Sequence, residues 1–431
     1  MKAILPAKAI WAALVSACLF LPGAARCFLI GAVRADELPR ATPQEMGLAA
    51  GKLGEIKTIV QRAVDKHQTA GAVVVVARRG KIVLLESVGK MSAATDKPMR
   101  PDAIFRMYSM TKPITTVAAL MLADDGKLAL DDPVSQYLPE FKGLRVHTGR
   151  GDETVPVDRE MTVRDLMRHT SGLSYGFLGD SAVDRLYRAN HIGDRGDTLA
   201  ELVSKLGKLP LQDQPGKHFN YSYSTDVLAR VVEVAGGKPF DEFLQERICG
   251  PLDMGDTGFA VPDDKLDRFT ASHRRGKGGL EVGDAPETSA FRQKPQFLSG
   301  GGGLVSTARD YLRFSQMLSS GGELHGQRLL RAETVRAMTT NQLPADALPP
   351  TVAGFPLTGS GFGLGVLVRL DAKLDKPDPA AGEYGWGGAA STTFWIAPRS
   401  ELVVLVLQQL QPNNVELQLA LKPIIYAAIE K

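Results

Sequence analysis

Six consecutive small or β-branched apolar residues, Ala72-Val73-Val74-Val75-Val76-Ala77, constrain this chain more than any other feature. A strand with one face in water alternates apolar and polar residues, so an unbroken apolar run predicts a strand buried on both faces. Arg78-Arg79-Gly80 supplies a turn, and Ile82-Val83-Leu84-Leu85 returns, so residues 71–86 read as a hairpin. Further strand candidates lie at the far end of the chain, over 363–370, 391–396 and 402–407. Helical periodicity marks 49–66, 109–125 and 415–430. A short helix is expected over 162–169, with Thr162 as N-cap and Asp165 at the capping-box position. Two more run over 226–235, stopped by Gly236-Gly237, and 307–318, stopped by Gly321-Gly322. Strands near both ends with helices between them predict one sheet built from both halves of the chain. The 431 residues would allow two or three domains by length alone. The element order instead predicts an α/β (α+β) body from residues 36–124 and 291–431, with a helical lobe of residues 125–290 inserted. A ligand site is expected in the cleft between them. The loop-rich stretch 267–295 is expected to be surface or lid.

The N-terminus carries a separate signal. Lys2 and Lys8 precede an apolar run over residues 9–25, and Val33-Arg34-Ala35 ends a second apolar stretch before Asp36-Glu37. A charged start, an apolar stretch and a small-residue site describe a secretory signal peptide, here residues 1–35, with Ala25 as the alternative cleavage point. Those 35 residues hold Lys2, Lys8, Arg26 and Arg34 and no acid. Without them 47 basic residues face 48 acidic ones, so the +3 charge of the full chain is an export signal and not a nucleic-acid surface. The expected location is periplasmic or secreted, with no membrane span left after cleavage. Of Cys18, Cys27 and Cys249 only the last would remain, which rules out an intrachain disulfide. No His-Glu-x-x-His or Cys-x-x-Cys spacing is present, and no metal or other cofactor is expected.

Three segments could carry chemistry. In Tyr108-Ser109-Met110-Thr111-Lys112-Pro113, Ser109 and Lys112 are three apart at a helix start, which puts both on one face. A serine hydroxyl is a weak nucleophile until a base takes its proton. A buried lysine can be that base, because desolvation favours its neutral form. Ser-x-x-Lys alone is a weak signal, and Ser87-Val88-Gly89-Lys90 matches it at a strand end, where the spacing does not align side chains. The second segment, residues 215–224, places Tyr221 on a turn leading into the helix from Asp226. Tyr221 is there either a proton-exchanging phenol in a cleft or a packed aromatic. The third, Gly385-Trp386-Gly387-Gly388-Ala389, precedes a strand and reads either as a tight turn or as a place where a ligand meets the backbone. Gly172-Leu173-Ser174-Tyr175-Gly176 matches a nucleophile elbow, but a helix precedes it where the elbow needs a strand. His169 beside it is expected to be structural. Gly300 to Gly303 lacks the residues of a phosphate loop and is expected to be a turn beside the cleft.

Taken in order, Ser109-x-x-Lys112, Tyr221-Ser222 and Trp386-Gly387-Gly388 resemble the serine β-lactamase and penicillin-binding-protein superfamily. Within it the chain looks most like the family VIII carboxylesterases, which resemble class C β-lactamases. The resemblance runs from about Pro43 to Ile429 and includes residues 165–173, 251–259 and 300–307. It implies a β-lactamase/transpeptidase-like fold, a central antiparallel sheet flanked by helices. It implies Ser109 as the acylated nucleophile and Lys112 and Tyr221 as a shared base and acid. The oxyanion hole would be formed by the Ser109 and Ala389 N–H groups, with Trp386, Gly387 and Gly388 lining the substrate site.

Two departures narrow the activity. Class C β-lactamases carry Tyr-x-Asn, where this chain has Tyr221-Ser222-Tyr223, and Lys-Thr-Gly, where it has Trp386-Gly387-Gly388. An indole in place of the lysine that meets the β-lactam carboxylate favours neutral esters. The expected function is an exported serine hydrolase acting on short-chain acyl esters, with small-molecule esters or β-lactams as its ligands. The alternatives are β-lactamase or D-amino-acid peptidase activity at the same site, and a sensor that is acylated without turnover.

Overall fold

The computed structural model describes residues 38–370 and 380–430. The expected signal peptide, residues 1–35, lies outside the described residues. Gly71–Arg78 is buried along its whole length, as its unbroken apolar run predicts. It pairs on one side with Lys81–Gly89 and on the other with Leu402–Leu407, so Val75 faces Leu85 and Leu405. The sheet continues through Thr393–Ala397, Tyr384–Gly387, Leu367–Arg369 and Ser360–Phe362, all antiparallel. Segments distant in sequence therefore lie side by side within one sheet.

Alternation along Gly71–Arg78 sends side chains into two cores. Ala72, Val74 and Val76 pack with Leu53, Ile56 and Val60 of the helix Ala50–Asp65, and with Leu417, Leu421 and Ile425 of the helix Glu416–Ala427. Val73, Val75 and Ala77 join the larger core on the opposite face, which holds the helices Thr111–Asp124 and Ala308–Ser319. Thr111–Asp124 is buried from Thr111 to Leu122 and carries Lys112, Thr115 and Thr116 into the interior with its apolar residues. The described residues pack as one compact unit.

Three expectations are corrected. The strand expected over 363–370 is a hairpin, Ser360–Phe362 with Leu367–Arg369. Gly365 turns the chain with φ of 75°, and a Cβ there would stand 2.2 Å from Thr116 Oγ1, so strand geometry is lost at that point. The loop expected over 267–295 contains the hairpin Ser272–Gly276 and Gly279–Asp284, and Leu410–Gln411 pairs with it in parallel. Its charged residues disguise the strands: Arg274 and Arg275 are exposed although their strand is the middle one of three. The helix expected from Ser109 begins instead with a tight 3₁₀ turn, Tyr108–Met110, and becomes α-helical at Thr111.

Candidate active site

Ser109 sits on that turn. The strand Ile104–Arg106 pairs with Val305–Thr307, and Met107 N–H donates to Leu304 O at 2.9 Å, which fixes the entry to the turn. Tyr108 then takes φ of 44°, an uncommon conformation for a bulky residue that lifts the next residue out of line. Ser109 is half-buried, and Lys112, one turn on, is wholly buried.

Lys112 Nζ has three partners: Gly301 O at 2.7 Å, Tyr175 Oη at 2.9 Å and Ser109 Oγ at 3.3 Å. The sequence pattern anticipates the pair Ser109–Lys112. It does not anticipate the two groups that hold Lys112 in place. The Gly300 to Gly303 turn is itself anchored, since Thr115 Oγ1 donates to Gly300 O at 2.7 Å and Gly301 N–H to Asp226 Oδ1 at 3.0 Å. Ser299 Oγ also donates to Asp226 Oδ1, at 2.5 Å. A Cβ on Gly301 would lie 2.5 Å from Asp226 Oδ2 and 2.9 Å from Tyr175 Oη, so only glycine lets the turn come this close. Burial raises the pKa of Asp226, against the pull of Lys112 and these hydrogen bonds. Burial, and next the Asp226 charge, push Tyr175 well above the ordinary tyrosine value, so its phenol stays protonated.

Tyr221 meets Lys112 through its ring face, with Nζ 4.5 Å from the centroid. Its hydroxyl accepts from Trp386 Nε1 at 3.2 Å. Trp386 lies on Tyr384–Gly387 and brings the sheet edge to the site. Beyond it, a Cβ on Gly388 would be 2.3 Å from Met107 O, so the strand end abuts the segment entering Ser109. Ala389, which follows, is exposed. Ser109, Lys112, Tyr221 and Trp386 thus come together from three separated segments, with Gly387 and Gly388 continuing that edge.

The other singled-out residues stand apart from the nucleophile. Ser174 is buried, and its Oγ donates to Asp184 Oδ1; a helix, Val163–Met167, and not a strand, leads to it. His169 is wholly buried among Phe219, Tyr221 and Phe362, and its Nδ1 is 3.5 Å from Ser222 Oγ. Burial, and next the charge of Lys112, hold its pKa well below 6.5, so it is neutral. A cavity of about 440 Å³, lined by Asp241, Glu242, Cys249, Phe259, Lys294 and Leu304, opens behind the glycine turn without Ser109 or Lys112 in its wall. Among the described residues no group of three or more His, Cys, Asp or Glu side chains is placed to hold a metal ion.

Esterase EstB of Burkholderia gladioli is 32% identical over 406 residues, covering 88% of this chain and 96% of that protein. Lovastatin esterase of Penicillium rubens is 30% identical and covers 85% of this chain and 95% of its own length. The solved structure of EstCE1, a hydrolase with promiscuous acyltransferase activity, superposes with a TM-score of 0.74 at 26% identity. It covers 87% of this chain and 98% of that one. These relatives point to a serine hydrolase or acyl transferase built on the β-lactamase fold. The Beta-lactamase family model matches residues 56–428, and this chain belongs to that family.

Proposed function

We propose that this protein is an exported serine esterase that cleaves neutral, short-chain acyl esters through an acyl-enzyme on Ser109. The observation that carries the reading is the enclosed Lys112, with its Nζ 3.3 Å from Ser109 Oγ and two further groups fixing its position. Ser109 Oγ bonds to the ester carbonyl carbon while its proton passes to the Lys112–Tyr221 pair. The Ser109 and Ala389 N–H groups hold the oxyanion, and one such donor is typically worth about 10²–10³ in rate. Collapse expels the alcohol, which takes the proton and leaves the acyl group on Ser109. Water then adds to the acyl carbon and the sequence runs back to free serine. An alcohol in place of water would give acyl transfer, the second activity in the name of EstCE1.

Trp386 supports the choice of ester over β-lactam. Its indole occupies the sheet edge and donates to Tyr221, and it offers no cation to a substrate carboxylate. Residues 1–35 would be removed on export to the periplasm or medium. Purified protein should hydrolyse p-nitrophenyl acetate, and faster than nitrocefin. Ser109→Ala should lose that activity by roughly 10⁴-fold or more. Full activity in Ser109→Ala would sink the assignment.

A further inference from the structure

Six large hydrophobic side chains are exposed among the described residues, and the two aromatic ones, Phe177 and Phe355, both belong to segments attached to the catalytic site. Phe177 is 66% exposed and leans on Tyr175, with ring centroids 4.9 Å apart. Tyr175 in turn holds Lys112. Phe355 is 74% exposed on a small hairpin, Thr351–Val352 with Phe355–Pro356, turned through Ala353 and Gly354 at φ of 49° and 81°. Val352 pairs directly with Phe355, so their side chains stand on the same face of the hairpin. Val352 packs into the apolar cluster that includes Tyr221 and Trp386. Phe355 therefore overhangs the same wall.

That wall is a continuous run of rings. Trp386 lies 5.5 Å from Tyr221 and 5.3 Å from Phe362, and Phe362 lies 5.1 Å from Phe219. His169, which packs against Tyr221, Phe219 and Phe362, is neutral there. An apolar wall with an exposed aromatic on each flanking segment suits a large apolar group. The acyl group stays bonded to Ser109, beside the Gly388 strand end. The alcohol must leave to solvent, and Phe177 and Phe355 are the exposed rings on the segments that adjoin this site.

We propose that Phe177 and Phe355 grip the alcohol half of the substrate, and that the substrate class is short-chain acyl esters of bulky aromatic or alicyclic alcohols. This rests on the Ser109 esterase reading. The test compares 1-naphthyl acetate with ethyl acetate by pH-stat, in wild type, Phe177→Ala and Phe355→Ala. Both side chains are exposed, and unchanged melting temperatures should show that the fold is intact. Each variant should lower kcat/KM for 1-naphthyl acetate about 10- to 100-fold, the worth of one well-buried aromatic contact. Ethyl acetate should change less than twofold. Both esters pass through the same acetyl-Ser109, so its breakdown rate should match wild type. An unchanged ratio between the two esters, with both still hydrolysed, overturns the gripping role and leaves the esterase reading standing. Altered breakdown of the acetyl-enzyme places the rings on the acyl side and overturns it too. Failure of wild type to hydrolyse either ester takes down both readings.

Discussion

Replacing Tyr175 with phenylalanine removes one oxygen and keeps the ring, which packs 4.7 Å from Tyr223 and 5.4 Å from Tyr221. The lost atom is the one 2.9 Å from Lys112 Nζ. As an ammonium, Lys112 has three N–H donors, and Gly301 O, Tyr175 Oη and Ser109 Oγ match them one for one. As a neutral amine it has two N–H donors and a lone pair. Gly301 O can only accept and takes one N–H. A Tyr175 hydroxyl accepting the other leaves the lone pair aimed at the Ser109 proton. Without that oxygen the amine can turn about its last bond, and a donor is left unpaired in a buried site. A hydrogen bond to a charged group is worth about 1.5–3 kcal/mol, so kcat/KM for p-nitrophenyl acetate should fall about 10- to 150-fold. The measurement is the p-nitrophenol burst under pre-steady-state conditions, with circular dichroism confirming the fold. The burst rate should fall and its amplitude should still approach one per enzyme. A burst rate within twofold of wild type would refute the claim that Tyr175 orients Lys112.

Two further outcomes follow from contacts at single residues. Gly388→Ala puts a Cβ 2.3 Å from Met107 O and 2.4 Å from Thr392 Oγ1, closer than carbon can approach, so the strand end or the Ser109 turn must shift. Misplacement of about 1 Å can cost about 10²-fold in rate, and kcat should fall by that order while far-ultraviolet circular dichroism stays unchanged. Asp165 is pushed up by burial, but Arg159, Thr162 and Thr170 outweigh this and hold its pKa at about 2. Because the folded value lies below the unfolded one, its stabilisation is present above about pH 4 and is lost as pH falls through 2. It amounts to about 2 kcal/mol. Asp165→Asn should therefore be less stable than wild type to urea at pH 7, and the gap should narrow between pH 4 and pH 2.

What could be read in the chain alone is what is local or periodic. The capping box of Thr162 and Asp165 forms as expected, with both reciprocal bonds present, because its partners are three residues apart. The two-faced burial of Gly71–Arg78 follows from an unbroken apolar run, and the pairing of Ser109 with Lys112 from one helical turn. The rest of the site depends on distance along the chain. Tyr175 is 63 residues and Gly301 is 189 residues from Lys112, and no spacing rule connects such positions. Asp226 was visible only as the start of a helix. Its part in the site appears once Ser299 and Gly301 are folded onto it. The hairpin of Ser272–Gly276 and Gly279–Asp284 escaped because its exposed charged side chains break the apolar alternation that marks a half-buried strand.

The nucleophile-elbow lookalike shows how a misleading pattern can still mark the right place. In Gly172-Leu173-Ser174-Tyr175-Gly176 the two glycines bend the chain sharply, with φ of 84° and 76°. The bend serves a different side chain from the one the pattern points to. Ser174 bonds to Asp184, the N3 residue of the helix Ala182–Ala189, and so ties the loop to its own neighbourhood. Tyr175, one residue on, points the other way and reaches Lys112. Gly176 is needed for the same reason, since a Cβ there would lie 2.9 Å from Tyr187 Cβ. The serine thus fixes the loop and the tyrosine reaches the lysine.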